Sequence, residues 1–393
     1  MAHDNNLNRG PGMKHFDAIV VGFGGMGSAT TYALARRGLK VLGLERYNIL
    51  HDLGSSHGLT RIIRLAYCEH PAYVPLLFRA YDLWRNLENL TGERILFVTG
   101  SLDVGPIGGR VVRGSIATCE QYSIRHEIMD SQQIQQRFPG YCLPKDMVGV
   151  YQPDGGFILS ERAIILYTRL ALDLGAEIHA QEAVTKWEVR PDSIVVHTSA
   201  MSYSANRLII AAGAWATKLV PFLGDVLVPE RQVLIWTRPL HPEAFQLGAF
   251  PVFNLDGSEG RFYGLPIYDY PGFKIGKYHH KNERVDPDTM DRVCNQEDQD
   301  VLREAITHYF PAANGPTLAL KACLFTNTPD EHFILDAHPE FDGVFIAAGF
   351  SGHGFKFCSV VGEIMAELAT TGKTLYDLDL FRIDRWSRNR QID

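Results

Sequence analysis

HFDAIVVGFGGMG, residues 15–27, begins with an apolar, β-branched run from His15 to Val21 and turns into glycines spaced as GxGxxG at Gly22, Gly24 and Gly27. Such a run reads as a buried strand, and the stretch from Met26 to Arg37 reads as the helix that follows it. Val41 to Leu44 supplies a second strand, completing the right-handed strand-turn-helix-strand unit of a doubly wound sheet. Glycines at these places permit a tight turn, close approach of a pyrophosphate and close helix packing, while the helix N-terminus favours the anion. Glu45 ends the second strand, where an acid accepts ribose hydroxyls. The glycines alone suit any structural turn and Glu45 alone a solvated strand end; together they predict a dinucleotide site.

Outward from this unit, Val74, Leu77, Tyr81, Trp84 and Leu87 recur at helical spacing between Tyr73 and Leu90, and Gly92 follows as a stop. Ile95 to Val104 alternates as a strand, and Glu161 to Gly213 reads as a second α/β stretch. Within it RLIIAAGAW, residues 207–215, is a buried strand running into a glycine turn. Val228 to Tyr278 is rich in Phe, Tyr, Pro and Gly with period-two alternation, which predicts an antiparallel sheet. GVFIAAGFSGHGFKF, residues 343–357, returns to a buried strand followed by glycines. The expected fold is α/β with an α+β second domain. A Rossmann-like nucleotide domain drawn from residues 13–97, 155–227 and 324–382 carries an antiparallel-sheet substrate domain drawn from 98–154 and 228–323.

The 393 residues suit two domains, and 46% hydrophobic against 21% charged is the balance of an ordinary globular protein. A net charge of -7 without a basic block argues against a nucleic-acid binder. Cysteines 68, 119, 142, 294, 323 and 358 form neither CxxC pairs nor metal-ligand spacing, so no metal site or disulfide framework is expected. The polar start, MAHDNNLNRGPGMKHF, lacks the apolar core of a secretory signal. No later run reaches the roughly 18 apolar residues of a membrane span, and the terminal RQID is no peroxisomal address. A cytoplasmic protein, working as a monomer, is expected.

KACLFTNTPDEHFILDAHPEFDGVFIAAGFSGHGFKF, residues 321–357, closely resembles the signature of the monomeric sarcosine oxidase family, which includes N-methyltryptophan oxidase and pipecolate oxidase. The resemblance extends to GFGGMG, to GSSHGLTRIIR at residues 54–64, to YGLP at 263–266 and to GKYHH, hence to nearly the whole chain from Met13. It implies an FAD-dependent oxidase of N-methyl or cyclic secondary amino acids that forms an imine and reduces O2 to hydrogen peroxide. Read alone, Cys323 is a small core hydrophobe; the resemblance implies a thioether from it to the 8α carbon of FAD. It further implies cofactor contacts at Gly22, Gly24, Gly27, Glu45, Arg46, Thr60, Arg61, Val184, Gly352, His353, Gly354 and Lys356.

The resemblance assigns the substrate carboxylate to Arg64 and Lys356, and places Tyr263 and Phe325 at the substrate. Arg61, Tyr263, Lys274 and His279 complete the implied catalytic set. Without it, the loop arginines would read as solvated and Lys356 as an exposed turn residue. The register around Lys274 is open: Lys274 keeps the family spacing from Tyr263, but His279 stands one residue too far, which leaves Lys277 and His280 as alternatives. Phe325 stands where sarcosine oxidases carry tyrosine, which favours a bulkier or less polar amino substituent than that of sarcosine. Two other readings remain: a dehydrogenase that passes electrons to a partner protein or to NAD, and a dinucleotide-binding module without catalysis.

Overall fold

The computed structural model describes residues 13–388, so most of the polar start and the terminal RQID lie outside the described residues. Strand β1 (Lys14–Val21), helix α1 (Gly25–Ala35) and strand β2 (Val41–Leu44) form the crossover unit expected of residues 15–44. Both strands are parallel, with Ala18 opposite Val41, and both are buried along their inner stretch because a parallel sheet is covered on both faces. Ser202–Ile210 lies on the other side of β1, and Val344–Ala348 beyond it, both parallel. Three stretches of chain far apart in sequence thus build one eight-stranded sheet. Both the 207–215 run and the 343–357 run end at the same edge as the glycine turn.

The Val74–Thr91 helix buries all five residues of the expected stripe. Each large apolar side chain so buried contributes roughly 1.5–3 kcal/mol. The helix ends at Gly92 in the left-handed conformation, φ 70°.

A second eight-stranded sheet runs in the order Thr317–Asn327, Val228–Thr237, Phe273–Lys277, Gly260–Leu265, Val252–Gly257, Ser101–Pro106, Met147–Gln152, Glu127–Asp130. It is antiparallel apart from the Val252–Gly257 and Ser101–Pro106 pair. Its own aromatic core includes Phe245, Phe250, Phe253, Phe273 and Phe310.

Two details depart from the sequence reading. The single strand expected from Ile95 to Val104 is broken, because the N–H groups of Thr99 and Gly100 both bond the carbonyl of Gly155. The 54–64 segment is only half a loop, since Thr60–Ile63 pairs with Gly156–Leu159 in a small three-stranded sheet. Its β-branched residues favour that conformation, but the partner lies too far along the chain for local pattern to reveal. Among the described residues no helix is long and apolar enough to cross a membrane.

Candidate active site

One cavity runs from the glycine turn between the two large sheets, and its nucleotide end is built by close packing. Gly22 has φ 88°, and a Cβ there would stand 2.5 Å from the carbonyl oxygen of Ala211; one on Gly27 would overlap the carbonyl oxygen of Gly22. No side chain larger than hydrogen fits either place, so α1 can start flush against the cavity, with no acidic residue in its first turn. Glu45 accepts hydrogen bonds from the N–H groups of Phe23 (2.8 Å) and Tyr47 (2.9 Å), which fixes the carboxylate beside the turn. Arg46 and Val184 line the same end, and Arg46 is paired with Asp288 at 2.8 Å. The glycine cradle, open helix start and pinned acid suit the pyrophosphate and ribose of FAD.

Further along, the Ser55–Arg64 segment forms one wall. The Arg61 guanidinium donates to the carbonyls of Thr60 (2.9 Å), Ser55 (2.7 Å) and His57, folding the segment onto itself while lining the cavity. Lys274 stands directly behind Thr60. Its buried Nζ donates to the carbonyls of Gly58 (2.6 Å) and Thr60 (2.9 Å) and to Thr60 Oγ1 (3.1 Å). Burial, and then the nearby Arg61 charge, hold this amine well below the ordinary lysine range. Cys323, 3% exposed, lies just behind the wall with Sγ 3.9 Å from the carbonyl oxygen of Gly54. Burial pushes the thiol up, but His57 and Arg61 together more than offset it and bring it from 9.0 to about 7. A thiol with that much thiolate character is a competent nucleophile.

The far end holds a buried charge cluster. Arg64, 2% exposed, donates from Nη2 to both oxygens of Glu69 (2.9 and 3.0 Å) and from Nη1 to the carbonyl of Ala66 (2.7 Å), with Nε 3.6 Å from Asp103. Arg261 donates to the same Glu69 at 2.6 Å. Against the effect of burial, the two arginines hold the Glu69 carboxyl well below the usual range. Lys356 and Arg64 both lie against the Tyr67 ring, the two cations 5.4 and 4.6 Å from its centroid. Burial and the Arg64 charge lower its amine to about 7, and its Nζ donates to the carbonyl of His353 at 2.7 Å.

Folding therefore brings together most of the residues singled out from the sequence. Gly22, Gly24, Glu45, Thr60, Arg61 and Arg64 line the cavity from the N-terminal side; Tyr263, Phe325, Gly352, His353, Gly354 and Lys356 line it from the rest of the chain. Gly27 and Lys274 support the wall from behind. His279 is placed differently from the expectation. It sits in a turn at φ 55° with its ring between Glu230 and Glu331, pairs that raise it to about 9, and it is not part of the cavity wall. His280 is no substitute, being buried against Asp298 at 3.2 Å. The residue that reaches the cavity is Tyr278, stacked edge-on to Tyr263 at 5.1 Å, with Arg261 4.3 Å from its ring centroid. Strand parity carried the signal: Lys274, Gly276 and Tyr278 share one side and Lys277 the other. Lys277, partly exposed, rests 5.8 Å from the Phe262 ring centroid. Glu69 and Asn254 carried no local motif, and only the fold shows them beside the site; His57 lies within the 54–64 stretch but was given no role there.

Residues 17–368 match the FAD dependent oxidoreductase family. The chain is 41% identical to the monomeric sarcosine oxidase of Bacillus sp. (strain NS-129), over 94% of this chain and 97% of that protein. It is 40% identical to the monomeric sarcosine oxidase of Streptomyces avermitilis, over 93% and 96%. Among solved structures it resembles NikD, an unusual amino acid oxidase essential for nikkomycin biosynthesis, with TM-score 0.82, 25% identity and coverage of 94% of this chain and 98% of that one.

Proposed function

The chain belongs to the FAD-dependent oxidoreductase family, and from that premise we propose that it oxidises the carbon–nitrogen bond of N-methyl or cyclic secondary amino acids, with O2 as electron acceptor. The observation that carries this reading is the meeting of Arg64 and Lys356, buried cations from opposite ends of the chain, at the far end of a cavity that starts at Gly22 and Glu45. An amino acid carboxylate suits that pair. Held there, the amine faces the cavity beside cations that disfavour its protonated form, so no strong protein base is required. Bound FAD supplies the electron acceptor for the carbon next to the amine, and water hydrolyses the resulting imine. Tyr263, Tyr278 and Phe325 form an aromatic wall that keeps bulk water from the reacting carbon. Lys274, through Thr60, sets a positive charge near the path of oxygen.

The test is direct. The purified protein mixed with N-methyl and cyclic amino acids should lose its yellow colour without air and release hydrogen peroxide in air. Failure of every such compound to bleach the bound flavin would remove the reading.

Attachment of FAD through Cys323 forms part of the proposal, supported by a thiol brought to about 7 next to His57 and Arg61. The buried His57 Nε2 has no hydrogen-bond partner among the described residues that meets ordinary geometry, which leaves it available to the thiol proton. Acid denaturation of the unmodified protein should leave the yellow colour on the polypeptide, whereas Cys323→Ser should release it into the supernatant. Complete release from the unmodified protein rules the linkage out.

A further inference from the structure

Asn254, on the Val252–Gly257 strand, lines the cavity and is 1% exposed. Its Nδ2 donates to Asp103 Oδ1 at 2.8 Å. Asp103 is itself anchored, accepting from the Ser115 hydroxyl at 2.6 Å and standing 3.6 Å from Arg64 Nε. A carboxylate facing an arginine only accepts, so the nitrogen of the amide must be the end that meets Asp103. The oxygen is thereby fixed on the other side, and it has no hydrogen-bond partner among the described residues. A buried acceptor left unmade is unfavourable, and such atoms in native sites await a ligand or an ordered water.

We propose that Asn254 is a specificity-determining residue whose amide oxygen accepts a hydrogen bond from an O–H or N–H on the substrate side chain. The inference rests on the function proposed above and narrows it to side chains that carry a donor. Position separates this role from contact with the reacting amine. Asn254 is paired with Tyr263, on the strand between its own and that of Lys274. Lys274 is thus two strands away and two residues out of register, about 12 Å, and Arg64 is tied to Asn254 through Asp103. With the carboxylate at Arg64 and the amine facing the cavity toward the flavin, as proposed above, the side chain is the part of the substrate left to meet Asn254.

The experiment uses the flavin-loaded enzyme and pairs of substrates that differ by hydroxyl against methyl: N-methylserine with N-methyl-2-aminobutyrate, N-methylhomoserine with N-methylnorvaline, and 4-hydroxyproline with 4-methylproline. In at least one pair the hydroxyl member should be favoured in kcat/KM by about ten- to a hundred-fold. Asn254→Leu, which keeps shape and removes the acceptor, should bring that ratio close to one; Asn254→Ala serves if the leucine variant does not fold. Methyl members oxidised as well as their partners throughout overturn the inference and leave the proposed function standing, as does an undiminished preference in a folded, yellow variant. No oxidation of any member overturns the function and the side-chain contact with it.

Discussion

Lys356→Met is expected to lower the second-order rate of flavin reduction by about thirty- to several-thousand-fold, and Arg64→Ala by a similar factor. Removing one partner from a desolvated, hydrogen-bonded charge contact costs about 2–5 kcal/mol, and each 1.36 kcal/mol is a decade. The two variants differ in their side effects. Among the described residues Lys356 Nζ makes one protein hydrogen bond, to His353, so its loss disturbs little else. Arg64 neutralises Glu69 and Asp103, so its loss leaves Arg261 as the ion-pair partner of Glu69 and also lowers stability. Lys356→Met is therefore the cleaner test, checked by stopped-flow bleaching with flavin content and melting temperature as controls. Because the Lys356 amine lies at about 7, anion binding carries a sign in pH. Carboxylates that lack an amine should bind fully below about pH 7 and progressively less tightly above it, as the lysine loses its proton; in Lys356→Met that slope should vanish. If both variants are yellow, folded and as fast as the parent, the carboxylate is held elsewhere.

Lys274→Met is expected to slow reoxidation of the reduced enzyme by about three decades while slowing its reduction far less. A positive charge about 4 Å from the negative charge that develops on oxygen is worth roughly 4 kcal/mol at an effective dielectric near 20. The three donated hydrogen bonds to Gly58 and Thr60 hold the charge in place before oxygen arrives. Burial and Arg61 favour the neutral amine, so reoxidation should be fastest at low pH and should fall as pH rises through the lowered pKa. Lys277→Met provides the comparison: this partly exposed side chain lies on the opposite side of the strand, and its removal should leave both half-reactions nearly unchanged. A reoxidation defect in Lys277→Met, with none in Lys274→Met, would reverse the assignment.

What the sequence made legible was local or repeated. The glycine turn, Glu45 and the Val74–Leu87 stripe each follow from spacing within a few turns of chain, because 3.6- and 2-residue periods are direct consequences of backbone geometry. Lys274 and Lys356 were accessible only through resemblance, since a buried lysine carries no periodic mark. Residue type misled at the end of the Phe273–Lys277 strand: two histidines drew attention, whereas alternation from Lys274 points to Tyr278. Glu69 and Asn254 were invisible because their significance lies in partners across the fold, Arg261 in one case and Asp103 in the other. The pairing of Thr60–Ile63 with Gly156–Leu159 escaped for the same reason.

The arrangement of the nucleotide sheet also sets the order in which the chain can mature. Leu208–Ile210 pairs on one side with β1, which is already available, and on the other with Val344–Ile346, which is made much later. At 5–20 residues per second, a ribosome leaves that sheet edge without its neighbour for roughly seven to twenty-seven seconds. The Cys358–Thr371 helix, whose Gly362 packs against Ala29 of α1, arrives later still. A nascent chain stalled before Val344 thus presents an apolar parallel edge open to pairing with other chains, and the cradle built by Gly22 to Gly27 stays unfinished until the Cys358–Thr371 helix has emerged.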